Sequence, residues 1–173
     1  MTGADNQQER LGYYAAGYVD GEGSFHVGVQ KSPFVKFGYQ LVPEFRVSQN
    51  SSRNEVLVLI KELLGCGYIK SNDRRNPMDS SEVLVVRNRS DLVAKVIPFF
   101  ERYPLISSKR EDFRKFAYIV RSMDRREHLY KKHLLVKEAF SMNGNGRYRK
   151  WKLDDITTSL ESSETVRRTP KEG

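Results

Sequence analysis

The chain contains one cysteine, Cys66, in 173 residues. That excludes a disulfide within the chain, and it excludes a zinc site built on several thiolates. No apolar run approaches the roughly 20 residues needed to cross a bilayer. Met1 to Gln8 is polar and acidic, unlike a secretory signal, so a reducing compartment is the expected home. Histidine is scarce as well. His128 and His133 stand five apart, off the i,i+4 spacing of a metal-binding pair on a helix, and His26 is remote from both. Neither a nucleophile elbow, a phosphate-binding glycine loop nor a dinucleotide fingerprint occurs. Acids are outnumbered: 22 Asp and Glu face 30 Lys and Arg, giving a formal charge of +8. Such an excess favours a polyanionic partner, nucleic acid before an anionic membrane surface.

The segment Met1 to Ser24 runs against this trend, with four acids and one Arg. The length suits one domain with a real core, spanning 1–173. Its organised part runs from about 6 to 152, followed by a basic loop and short helix over 143–162 and a polar tail over 163–173. Asn6 to Val19 carries Leu11, Tyr14, Ala15, Tyr18 and Val19 at helical spacing and is expected to be stopped by the Gly21 and Gly23 pair. Phe25 to Gln30 alternates as a strand. A second strand is expected over Lys36 to Ser48, with Pro43 arguing for an edge or bulged position. Arg53 to Leu64 is amphipathic and ends at Gly65. Tyr68 to Lys70 and Val83 to Val86 suggest a second hairpin around the polar loop Ser71 to Ser81. Helices follow over Asp91 to Glu101 with Ser90 as cap, from Ser107 or Ser108 to about Met123, and from Arg126 to Ser141. The order is an αββαββα core with further helices at the C-terminus. It is an α+β class in which a four-stranded antiparallel sheet has helices on one face and leaves the other for a ligand.

Asp20 and Glu22 are the chemically pointed pair. Asp-Gly at a helix end is also a common turn former, and the two readings stay open on spacing alone. As ligands they suit Mg²⁺, which takes one or two protein carboxylates and completes its octahedron with water and phosphate oxygens. The polar strand residues His26, Gln30, Lys31, Gln40, Glu44, Arg46 and Ser48 fit either a solvated sheet face or a ribbon that reads base edges in a major groove. Ser107 to Lys137 holds ten Lys and Arg against four acids. Within it, Lys109-Arg110 at a helix start opposes the helix dipole unless an anion is near. Arg147, Arg149 and Lys150 follow a Gly/Asn joint and suit phosphate contacts.

Ala15-Ala16-Gly17-Tyr18-Val19-Asp20-Gly21-Glu22-Gly23, followed by Ser24-Phe25, resembles the signature of the LAGLIDADG homing endonuclease family. Ala15 stands where Leu is usual and Glu22 where Asp is commoner. Phe45-Arg46-Val47-Ser48-Gln49 with Arg53, and Pro104-Leu105-Ile106-Ser107-Ser108-Lys109-Arg110, resemble two further segments of that family. The resemblance implies a site-specific DNA endonuclease that is intron-encoded and Mg²⁺-dependent, with Mn²⁺ able to substitute. Glu22 and the Gly21 carbonyl would hold the metal, Gln49 and Arg53 would position the attacking water, and Lys109 (or Arg110) would stabilise charge on the scissile phosphate. A saddle-shaped sheet would read double-stranded DNA through His26, Gln30, Lys31, Gln40, Arg46, Lys70, Asn72, Arg74 and Arg75, while Arg147, Arg149 and Lys150 hold phosphates. A single motif implies a homodimer whose motif helices meet along Gly12, Ala16, Gly17 and Asp20, with Asp20 as scaffold. The implied product carries 3′ overhangs, and the implied location is a prokaryotic cytoplasm, a chloroplast or a mitochondrion. The alternative is a catalytically silent relative that binds intron RNA as a splicing maturase, or DNA as a regulator.

Overall fold

The computed structural model describes residues 3–35, 38–72, 78, 80–142, 152–154 and 156, with the backbone alone for 3–5. Helix α1 (Gly3–Glu22) leads into β1 (Gly23–Lys31) and β2 (Tyr39–Asn50), then a 3₁₀ turn (Ser51–Arg53) and α2 (Glu55–Leu64). A second hairpin follows, β3 (Tyr68–Ser71) and β4 (Ser81–Val86). The chain then passes through α3 (Arg89–Asp91), a π turn (Leu92–Val96) and α4 (Ile97–Arg102) to α5 (Lys109–Asp124) and α6 (Lys132–Phe140). The strands form one antiparallel sheet in the order β1-β2-β4-β3. The expected α+β layering is therefore the observed one.

Strand parity divides the sheet into two faces. Phe25, Val27, Phe45, Val47, Leu84 and Val86 point to the helices and are buried. Phe25 centres an aromatic cluster, with ring centroids 5.2 Å from Phe45, 5.2 Å from Phe100, 5.1 Å from Phe113 and 5.4 Å from Phe116. Because Phe25 is only three residues beyond Glu22, this packing fixes the end of the motif helix against the sheet. The other face carries Ser24, His26, Gln30, Gln40, Glu44, Arg46, Ser48, Tyr68 and Lys70, by the register that sets Ser24 opposite Arg46 and His26 opposite Glu44. Val83 and Val85 lie on this face too and are buried between Arg46 and Ser48 on one side and Tyr68 and Lys70 on the other.

Several local expectations are refined. The helix α1 runs on through Gly21 to Glu22 and yields only at Gly23, where a Cβ would lie 2.7 Å from the Val19 carbonyl oxygen. Pro43 lies within a strand that has neighbours on both sides, but β4 pairs only with residues 45–50 of it, so at Pro43 the sole strand partner is β1. Asn88, not Ser90, caps α3 by accepting the Asp91 N–H at 3.2 Å. Pro98 has no N–H to continue the ladder, which accounts for the wide π turn just before it. The expected helix over Arg126 to Ser141 is two pieces, a 3₁₀ turn at Glu127–Leu129 and α6, parted at Tyr130 and Lys131, and the left-handed φ of 60° at Arg126 divides the first piece from α5.

Lys132, at the start of α6, gives the fold a pH signature. Burial pushes its pKa down to about 8 from 10.5. Between those values the unfolded chain binds more protons than the folded one, so this group adds stability as pH rises through that window. The difference in melting temperature between the protein and Lys132→Met is expected to change in the protein's favour from pH 8 to 10.5 and to be flat below pH 7, measured by thermal melts across pH.

Candidate active site

The site lies where α1 ends. Glu22 is exposed in the last turn of α1, among carbonyls that carry the negative end of the helix dipole. A carboxylate there adds negative charge to negative charge, which makes the position a natural cation site. Part of that need is met from α5. The Lys109 ammonium donates to the Val19 carbonyl at 3.0 Å and to the Gly21 carbonyl at 3.2 Å. Burial pushes the Lys109 pKa down from its ordinary value, against the pull of Asp20, Glu22 and Asp112.

What sets Lys109 in place is Asp20. Its carboxylate accepts the Ile106 N–H at 3.0 Å, the Ser107 N–H at 2.9 Å and the Ser107 hydroxyl at 2.5 Å. The Ser107 oxygen in turn accepts the Lys109 N–H at 3.1 Å. Burial alone would raise the Asp20 pKa, yet these bonds and Lys109 hold it below the ordinary carboxylate value. Asp20 is therefore a bracket between α1 and the start of α5, and all of its described bonds are within the chain.

Gln49 and Arg53 arrive from the far end of β2. The Gln49 amide donates to the Tyr18 hydroxyl at 2.6 Å and its oxygen accepts the Asn50 N–H at 2.7 Å, so both ends of the side chain are held. Asn50 then caps the 3₁₀ turn by accepting the Ser52 N–H at 3.0 Å, and the Ser51 N–H donates to the Ser80 carbonyl at 2.8 Å. This ties the turn bearing Arg53 to the second hairpin. Arg53 is exposed and lines a groove of about 580 Å³ with Tyr14, Tyr18, Gln49, Glu55, Val56 and Leu59. Tyr18 stands one helical turn before Glu22, and its pKa is raised by burial and by the nearby Glu22 charge, in spite of the Gln49 bond. The sequence reading passes over Tyr18, although its i,i+4 spacing to Glu22 places the two on one helix face.

Glu22 and Gly21, Gln49 and Arg53, and Lys109 thus meet the last turns of α1 from three separate stretches of chain. Among the described residues there is no group of three or more His, Cys, Asp or Glu able to hold a metal. One carboxylate and one carbonyl fit an ion that takes most of its shell from water and phosphate.

On the open sheet face, His26, Gln30, Gln40, Arg46 and Lys70 share the same side, with Gln30 directly opposite Gln40. Asn72 joins them, its side-chain oxygen accepting from Arg46 at 3.4 Å. Lys31 does not. It has the parity of the helix-covered face, opposite Tyr39, with its ammonium 6.0 Å from that ring. Arg74, Arg75, Arg147, Arg149 and Lys150 lie outside the described residues. Of the four positions assigned to a helix-helix contact between two copies, three are used within the chain, Asp20 by its bonds to Ile106 and Ser107. Gly12 is covered by Tyr103, whose ring would lie 2.3 Å from a Cβ there, and Ala16 is 3% exposed in the chain's own core. Gly17 is exposed with open space around it, as is Gly21.

An antiparallel sheet with one polar face bearing Arg46 and Lys70, joined to a carboxylate-lysine site at the end of a small-residue helix in a basic chain, suits action on a polyanion. The model of the family described as LAGLIDADG endonuclease matches residues 15–120, and the chain belongs to that family. It is 35% identical over 104 residues to the DNA endonuclease I-CeuI of Chlamydomonas moewusii, a match covering 60% of this chain and 46% of that protein. The chain thus spans less than half the length of that curated relative. Solved structures match more completely. The homing endonuclease I-TnaI is 36% identical with a TM-score of 0.71, covering 88% of this chain and 97% of that one. The archaeal intron-encoded homing endonuclease I-Vdi141I, solved in complex with DNA, is 30% identical with a TM-score of 0.80, covering 93% and 99%. Among the described residues no helix is long and apolar enough to cross a membrane.

The Tyr18 hydroxyl offers a local check on the geometry. Tyr18→Phe keeps the ring and removes the bond to Gln49, so a roughly 5-fold fall in turnover is expected with DNA affinity unchanged, since a net hydrogen bond contributes about 1 kcal/mol. Single-turnover cleavage and a binding titration separate the two effects.

Proposed function

We propose that the chain is a site-specific double-strand DNA endonuclease that hydrolyses phosphodiesters with Mg²⁺. It acts as a homodimer on a long pseudo-palindromic site, leaves 3′ overhangs and is encoded by an intron. The observation that carries this reading is the meeting of Glu22, Lys109, Gln49 and Arg53 at the end of α1, on a chain whose antiparallel sheet has one polar face of the residue types that read base edges.

In this reading Glu22 and the Gly21 carbonyl would hold the metal. When bound, Mg²⁺ supplies charge neutralisation at the phosphate and a lowered pKa for water. The chain's own groups do the rest. Gln49, fixed by Tyr18, and Arg53 orient a water for in-line attack on phosphorus. The Lys109 ammonium stabilises the charge that develops on the phosphoryl oxygens, and Asp20 keeps Lys109 there. One Glu per chain is a sparse site. A second copy docking along Gly17 and Gly21 would bring its own Glu22 to the two-fold axis.

The test is incubation of the purified protein with a randomised duplex DNA library, with Mg²⁺ and with EDTA, followed by sequencing of cut ends. Cuts on both strands at one recurrent, nearly palindromic sequence, seen only with Mg²⁺, are the expected outcome. Tight DNA or intron RNA binding with no cutting under any divalent ion would assign the chain to the silent, maturase-like class instead.

A further inference from the structure

Glu44 is the one acid on the open sheet face among the described strand residues, and it is 5% exposed. A carboxylate buried on a surface meant for a polyanion is unfavourable twice, by desolvation and by repulsion of phosphate, unless it is fully partnered. Its partners are two guanidiniums. Arg46 Nε lies 3.1 Å from one carboxylate oxygen, and Arg87 Nε donates to the other. Arg87 follows Val86, whose register partner is Phe45, so the end of β4 delivers it beside Glu44. Arg46 and Arg87 remain 37% and 53% exposed in their side chains.

The choice of atoms matters. Both guanidiniums meet Glu44 through Nε, Arg87 by a hydrogen bond and Arg46 by an ion pair, so the fork of terminal nitrogens is not spent on the carboxylate. That fork is the group that pairs bidentately with guanine O6 and N7. A free Arg on such a face sweeps a wide arc and settles on phosphates, which carry no sequence information. Asn72 adds a second restraint on Arg46 through its Nη2 at 3.4 Å.

We propose that Glu44 is a positioning residue for sequence reading: it holds Arg46 and Arg87 as two base-reading forks, and the preferred DNA carries a guanine facing each in every half-site. This rests on the DNA-cleaving reading above and adds Arg87 to the residues that face the groove.

The experiment compares the unmodified protein with Glu44→Ala, Glu44→Gln and Arg87→Ala on a randomised duplex library with Mg²⁺, counting cut sequences. Salt-dependent binding to a short random-sequence duplex is measured alongside, and circular dichroism reports the fold. The unmodified protein is expected to prefer guanine about 10-fold or more at two positions per half-site, the range of a bidentate Arg contact. Both Glu44 variants should fall to about 3-fold or less at those positions and keep the rest of the profile. They should also bind random duplex more tightly, with a salt slope steeper by roughly one, because freed guanidiniums reach phosphates. Arg87→Ala should lose one position alone. Glu44→Gln preserves side-chain volume and is read where Glu44→Ala fails to fold. A base profile in folded Glu44 variants identical to the unmodified protein's overturns the inference, and so does a uniform loss of cutting without a change of profile. Absence of cutting by the unmodified protein would instead overturn the nuclease reading, and this inference with it.

Discussion

Glu22→Gln is expected to lower cleavage by roughly 10²- to 10³-fold, the range for removing a group that stabilises charge at a reacting centre. DNA affinity should stay within about 3-fold, because the many cationic contacts along a duplex, not one carboxylate, set it. The physical reason lies in where Glu22 sits. It is exposed, at the negative end of α1, and beside the Gly21 carbonyl that Lys109 also approaches. Gln keeps the shape and removes the charge, so the fold is undisturbed while the attraction for a cation is lost. Measurement of single-turnover cleavage against binding, over a range of Mg²⁺ concentrations, separates this from a general loss of structure. An active Glu22→Gln variant at millimolar Mg²⁺ would remove the carboxylate from the chemistry.

Gly17→Leu carries the second large effect. Nothing lies within 4 Å of the Cβ that would be added there, and Gly17 is exposed, so the side chain has open space to enter within one chain. Replacing a mid-helix Gly should even stabilise the fold by roughly 0.5–1 kcal/mol. Tyr14, Gly17 and Gly21 nonetheless share one exposed stripe of α1, at spacings of three and four residues. If two copies meet along that stripe, the two introduced leucine side chains collide at the symmetry axis. Overpacking costs about 1–3 kcal/mol per site and a two-fold interface carries it twice, so dimer affinity should fall roughly 30-fold or more. Sedimentation at varied concentration should show a folded monomer, and cleavage should disappear with the dimer. Gly12→Leu is the contrasting case. It strikes the Tyr103 ring and should unfold the chain itself.

The pattern of elements was legible in the sequence wherever one signal dominated. Alternation marked β1 and β2, amphipathic spacing marked α2, and Gly65 with its left-handed φ of 61° ended that helix as expected. Asp20 and Glu22 were found because two acids among glycines in a basic chain are conspicuous. The roles within the site were less legible, because they depend on contacts between residues far apart in the chain. Asp20 reaches 86 and 87 positions along the chain to Ile106 and Ser107, and no local pattern reports that bond. Gly12 and Ala16 share their small size with Gly17, yet only the packed structure shows that Tyr103 and the core have claimed them. Glu44 carries the parity of the polar strand face, but its partner Arg87 comes from the end of another strand. Lys31 stands apart from the other strand residues for a simpler reason. Its parity is opposite to that of Gln30, and a strand turns such neighbours to opposite faces.

On the proposed reading, each chain carries half of a centre that is completed by the Glu22 of a second copy. The most direct test joins one unmodified chain to one Glu22→Gln chain and measures cleavage of each strand of the selected site under single-turnover conditions with Mg²⁺. If the two carboxylates share one centre, cutting of both strands should fall at least roughly 100-fold. Cutting of either strand at the unmodified rate would contradict it, because it would show that a single Glu22 is sufficient.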